Sequence, residues 1–207
     1  MDAAVARAMA RWPNVPDVFG WLSLDRRGQW RLQGGTIGNE ALREFISRNY
    51  FAVGDGRYAF QNGPQRVFVE LAYTPWIIAL DGACQLRLHT GAPVVGLDTA
   101  WIDEHGALLL GFESGVGLVD DRDLAALVAC FITAAGSVLD DEAQAHAIEA
   151  LLSGAEATVT LLLDGKRLAV SRVNSGELKT RFAFDPRPLA PASADAVTSA
   201  SSSMPGA

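Results

Sequence analysis

The sequence predicts an α+β fold: two related β-hairpin–helix–β units with mainly antiparallel sheets packed together. Three observations carry this. Short segments alternate apolar and polar residues with a period of two and are joined by tight turns, which is the pattern of half-buried antiparallel strands. Amphipathic segments with helical spacing interrupt them. The pattern Asp25-x-x-Gly28-x-Trp30-x-Leu32 recurs as Asp103-x-x-Gly106-x-Leu108-x-Leu110, each time followed by a glycine-rich stretch, a helix and another hairpin. A doubly wound parallel sheet would instead show continuous apolar strands. The units are expected over residues 12–82 and 83–185, with a disordered Pro/Ala/Ser-rich tail over 186–207.

The elements follow in order. Residues 1–11 form a short helical lead, and the two prolines of Trp12-Pro13-Asn14-Val15-Pro16 force extended chain after it. Residues 18–24 and 29–33 form a hairpin across Asp25-Arg26-Arg27-Gly28, with glycine where positive φ is needed. A helix over 39–50 carries Leu42, Phe45 and Ile46 on one face, with Asn39 as N-cap. A second hairpin joins 58–61 to 65–71 through Asn62-Gly63-Pro64. Strands follow over 76–80 and 85–89, and a third hairpin joins 99–102 to 107–112. Helices are expected over 121–135 and 141–152, the first with Asp120, Asp121 and Asp123 at its positive end, the second behind Ser137-x-x-Asp140, which resembles a capping box. A last hairpin spans 157–163 and 166–173.

The composition of these 207 residues, 49% hydrophobic and 20% charged, excludes a disordered, collagen-like or coiled-coil chain. The net charge of −7 removes the overall basic face that non-specific nucleic-acid binding requires. The charge is nevertheless uneven. Residues 1–80 carry nine arginines against seven acids, and residues 81–207 carry eight basic residues against 17 acids. This fits either complementary halves or an anion-binding patch on the first half. Two cysteines, Cys84 and Cys130, make no disulfide framework, and Cys130 in its apolar run is expected to be buried. No signal peptide and no run of about 20 apolar residues is seen, so a bacterial cytoplasmic protein that neither spans nor binds membrane is expected.

The stretch Trp21-Leu22-Ser23-Leu24-Asp25-Arg26-Arg27-Gly28-Gln29-Trp30, preceded by Trp12-Pro13-Asn14-Val15-Pro16, resembles an uncharacterised family of proteobacterial proteins. Gln61-Asn62-Gly63-Pro64-Gln65-Arg66-Val67 and Tyr73-Thr74-Pro75-Trp76 strengthen the likeness. It covers about residues 12–185 and implies an α+β protein of unassigned function, with no catalytic residue to carry over.

Few residues suggest chemistry. His89, His105 and His146 are not spaced with cysteines or each other as zinc ligands, and the aspartates at 120–123 lack a calcium-loop pattern, so no metal is expected. Gly111-x-x-x-Gly115-x-Gly117 lacks the Lys-Ser/Thr of a P-loop and is flanked by Glu113 and three aspartates that would repel phosphate. No serine or cysteine lies in a nucleophile elbow, so no catalytic residue and no cofactor are assigned. One constellation stands out. Alternation places Arg66 and Glu70 on the polar face of one strand and Arg87 and His89 on that of another, with Tyr73 and Trp76 between them in sequence. Were those faces to converge, Arg66, Glu70, Tyr73, Trp76, Arg87 and His89 would form a surface for a small anionic ligand or a protein or peptide. Otherwise they form solvated sheet faces. The leading expectation is thus a non-enzymatic binding module. The alternatives are a hydrolase-like enzyme with its site in the groove between the units, and a self-associating module forming a homo-oligomer through edge strands and exposed tryptophans.

Overall fold

The computed structural model describes residues 1–133, 135–154 and 159–191. Its organisation grows from turns that the sequence specifies. In the first, Asp25 Oδ1 accepts from the backbone N–H groups of Arg27 (3.0 Å) and Gln29 (2.9 Å), and Gly28 takes φ +74°. That closes β1 (Val18–Leu24) onto β2 (Trp30–Leu32), with Leu24 opposite Trp30. Asp103 repeats the device, accepting from His105 and Ala107 at 2.9 and 2.8 Å.

After the N-terminal helix α1 (Ala3–Arg11), the first unit runs β1, β2, β3 (Gly35–Thr36), helix α2 (Glu40–Arg48), β4 (Tyr50–Ala52), β5 (Tyr58–Asn62) and β6 (Gln65–Leu71). Asn39 caps α2, its side chain accepting from Leu42 N at 3.0 Å. The connecting strands are β7 (Trp76–Leu80) and β8 (Leu86–Leu88). The second unit runs β9 (Thr99–Asp103), β10 (Leu108–Phe112), β11 (Gly115–Val119), α3 (Leu124–Val128), β12 (Phe131–Ile132), α4 (Asp141–Ser153), β13 (Val159–Leu163) and β14 (Lys166–Val173), followed by α5 (Leu178–Arg181).

The strand orders make the relationship plain. The first sheet is β3-β2-β1-β6-β5-β4. The second is β12-β13-β14-β9-β10-β11, extended at the β11 edge by β7 and β8. Each unit is therefore two three-stranded meanders separated by helix, joined where its first and last strands lie side by side. Those central pairs, β1 with β6 and β9 with β14, are parallel, as is β7 with β11; the other nine pairings among the described residues are antiparallel. The fold is α+β with mostly antiparallel sheets.

One core lies between the sheets. It joins Leu22, Leu24, Trp30, Val69 and Leu71 of the first to Ile77, Trp101, Leu109, Leu118 and Val173 of the second, with Ile46 of α2. A second core fills the opposite face of the second sheet, where Leu127 of α3 and Leu151 of α4 meet Ile102, Leu110, Phe131 and Leu161. Each fully buried side chain of this size contributes about 1.5–3 kcal/mol.

Several expectations need correction. The helix expected over 121–135 is only α3, five residues, followed by strand β12; a short apolar run has no periodicity that separates helix from buried strand. Asp140, not Ser137, caps α4, accepting from Ala143 N at 2.9 Å. Tyr50 starts β4 instead of ending α2, and the glycine loop after Phe112 contains strand β11. Cys130 is only partly buried. The chain passes from the first sheet to the second at residues 72–75, since Trp76–Leu80 pairs with β11. Of the expected tail, residues 186–191 are described and are seated on the fold, with Leu71 N donating to Pro186 O at 2.9 Å; residues 192–207 lie outside the described residues, as do residues 157–158 of the last hairpin.

Candidate functional site

The six residues singled out in sequence do not form one surface. β6 turns Val67, Val69 and Leu71 into the core between the sheets, which puts Arg66, half-buried, and Glu70, exposed, on its other face beside the buried Phe68. β8 lies at the edge of the other sheet, where Leu86 and Leu88 pack into the second core. Arg87 pairs with Asp81 at 3.0 Å. Trp76 donates its Nε1–H to Ser114 O at 3.1 Å. The structure does bring Trp76 and His89 together, with ring centroids 5.8 Å apart. The convergence fails for a physical reason: the sheets stack through the apolar face of β6, which turns its polar face away.

His89 has a structural environment. Trp30 and Tyr50 flank its ring at 5.2 and 5.4 Å, and Gly28 lies so close that a Cβ there would fall 2.6 Å from His89 Cβ. Its Nδ1 accepts from Ile77 N at 3.3 Å, while Nε2 is buried with no partner among the described residues. Burial pushes its pKa down to about 3, so the ring is neutral and supplies no positive charge for an anion.

Tyr73 sits elsewhere, at the junction of the sheets. Its hydroxyl donates to Asp103, a carboxylate with no exposed surface, and the Arg26 guanidinium lies 4.0 Å above its ring centroid. Burial and the bond to Asp103 raise the Tyr73 pKa well above its usual value, so it remains a neutral donor. Arg26 opens onto a cleft of about 540 Å³ that also takes in Arg27, Arg31, Glu70 and Arg187. Three of these arginines come from the first hairpin: Arg26 and Arg27 from its turn, Arg31 from β2. The fourth is positioned by the Leu71–Pro186 hydrogen bond and by Asp185 Oδ1, which accepts from Arg187 N at 2.9 Å.

Two of the four are engaged: Arg31 with Asp25 at 3.0 Å, and Arg27 with Asp121 at 2.8 Å. Arg26 and Arg187 pair with no carboxylate among the described residues. The cleft adjoins a second of about 710 Å³ that shares Leu71, Ala72, Pro186 and Arg187 and adds Lys179, Thr180 and Ser175. Glu104 fixes that wall, accepting from Ser175 Oγ (2.5 Å) and Ser175 N (2.8 Å), which brings its pKa down to about 2. The arrangement offers guanidinium donors at a half-enclosed junction. Among the described residues, no histidine is hydrogen-bonded to a serine or cysteine, and no three His, Cys, Asp or Glu side chains are grouped to hold a metal. Sequence reasoning missed Arg26, Arg27, Arg31 and Arg187 as a group; the arginine excess of residues 1–80 was the signal for three of them.

The model of the DUF2944 family, described as "Protein of unknown function (DUF2946)", matches residues 1–189. The chain belongs to this family of proteins of unknown function. No curated protein matches it. Among solved structures, this DUF2944 chain is similar to a DUF1285 family protein from Silicibacter pomeroyi DSS-3, with 17% identity and a TM-score of 0.50 over 84% of this chain and 97% of the other. A DUF1285 family protein from Shewanella baltica OS155 matches at 15% identity and a TM-score of 0.40, over 52% of this chain and 89% of the other. The first likeness is one of fold alone. No helix among the described residues is long and apolar enough to cross a membrane.

Proposed function

We propose that the chain is a non-enzymatic binding module whose arginine-lined cleft takes a small anionic ligand bearing phosphate or carboxylate groups. One observation carries the reading: Arg26 and Arg187, from nearly opposite ends of the chain, face one cleft with no carboxylate partner among the described residues, in a protein of net charge −7. A guanidinium presents a planar fork of N–H donors that fits two oxygens of one anion. Stacking on Tyr73, itself anchored to Asp103, restricts Arg26 before any ligand arrives, which lowers the entropy cost of binding. A proteobacterial cytoplasm is the compartment this reading assumes, supported by the sequence resemblance and by two unpaired cysteines.

The test is thermal unfolding at low salt with inorganic phosphate, diphosphate and citrate. A ligand at one hundred times its Kd stabilises by about 2.7 kcal/mol, which raises Tm by about 5–10 °C in a protein of this size. The reading expects such a shift in the parent protein and its loss in the Arg26→Gln/Arg187→Gln variant. Equal shifts in both proteins, or none in the parent, would refute it.

A further inference from the structure

We propose that the apolar groove at the opposite end of β1 is a second ligand site, one that takes an uncharged amphiphile with a single aliphatic chain. The strand register shows how it is made. Val18 pairs with Val67 and Leu22 with Val69, so four residue steps on β1 face only two on β6. The excess forms a bulge at Phe19-Gly20-Trp21, with Gly20 at φ +73°. Regular alternation would put Trp21 and Leu22 on opposite faces; the bulge lets both line the same groove, while Phe19 stacks on Phe68 at 4.4 Å.

The groove has a volume of about 520 Å³, within the range of small-molecule sites. Its floor is the buried Leu22, Ile46 and Phe60. Its rim is Trp21, Leu32 and Leu42, which remain 55%, 47% and 40% exposed. Three large apolar side chains left open around one depression mark a surface that binds something apolar. Two further features define the occupant. Among the described residues no charged side chain lines the groove, so an ionic headgroup seated there would lose hydration without compensation. Among the described residues, Asn62 and Gln65 supply the amides that line it, beside the Trp21 indole, and Gln65 donates from Nε2 to Pro16 O at 3.5 Å. Amides can donate to and accept from a hydroxyl or amide headgroup. A volume of about 520 Å³, bounded by Leu42 and Ile46 of α2 on one side, suits one aliphatic chain of a small molecule. The site is independent of the arginine cleft, and either can stand without the other.

The test titrates the full chain with hexanol, octanol and decanol, following tryptophan fluorescence and calorimetry together. Each buried methylene should tighten binding about fourfold, so each step in the series gains about sixteenfold until the chain outgrows the groove. Trp21→Phe should remove the fluorescence response and keep the calorimetric one. Leu42→Glu, on the exposed face of α2, should weaken all three alcohols at least tenfold with an unchanged circular dichroism spectrum. Octanoate should bind at least tenfold more weakly than octanol. Absence of saturable binding, affinity independent of chain length, equal binding by Leu42→Glu, or octanoate matching octanol would overturn the proposal. So would a dimer that Leu42→Glu dissociates, since a second copy would then be the occupant.

Discussion

Acidifying the protein from pH 7.5 to 5.0 should weaken it by an amount that His89 sets. The folded state holds this ring neutral with a pKa of about 3, while an unfolded chain protonates it near 6.5. Between those values the unfolded state binds the extra proton, so stability falls as pH falls. From these pKa values the loss is about 1.4 kcal/mol at pH 5.5 and about 2 kcal/mol at pH 5.0, the latter corresponding to roughly 4–8 °C in Tm. Carboxylates held below their usual range, such as Asp81, which accepts from Gln85 N and Arg87, and Asp120 beside Arg122, act in the same direction but lower, as pH falls through the acid range of an unfolded carboxylate. Urea unfolding at pH 7.5, 6.5, 5.5 and 5.0 isolates the histidine when the parent is compared with His89→Asn, which keeps an acceptor near the Ile77 N–H. The variant should be less stable at pH 7.5 and should lose most of the slope between pH 6.5 and 5.0. A variant with the parental slope would show that His89 is not the sealed group described above.

Two further outcomes follow from the same layer. Gly28→Ala should destabilise by about 2 kcal/mol or more, because positive φ costs about 1–2 kcal/mol and the new methyl group meets His89 Cβ; chemical denaturation measures it. Tyr73→Phe should cost about 1–3 kcal/mol in the same denaturation assay by leaving an oxygen of the buried Asp103 without its donor, while it keeps the ring on which Arg26 stacks.

The hairpins were legible because their information is local. At Asp25-Arg26-Arg27-Gly28 and at Asp103-x-x-Gly106, turn chemistry and alternation lie within a dozen residues, and the recurrence of that pattern pointed to the two related units. The parallel pairs were not legible. β1 meets β6, and β9 meets β14, across some fifty to seventy residues, and alternation tells which face of a strand is apolar without naming its neighbour. The same limit misplaced the polar residues. Arg66 and His89 both alternate with apolar neighbours, yet one lies half-buried on the other face of β6 and the other lies among Trp30, Tyr50 and Trp76, because the second sheet is covered on both faces. Three of the nine arginines in the first 80 residues line the cleft. Its fourth arginine, Arg187, could not be placed from sequence, since its position depends on Pro186 accepting from Leu71.

The arginine cleft is tested most directly by NMR of arginine side chains, following the Nε–Hε signals while inorganic phosphate or diphosphate is added at constant ionic strength. The Arg26 and Arg187 signals should move saturably, with Arg43 on α2 and Arg167 on β14 unmoved. Small, non-saturating shifts spread evenly over all the arginines would contradict it.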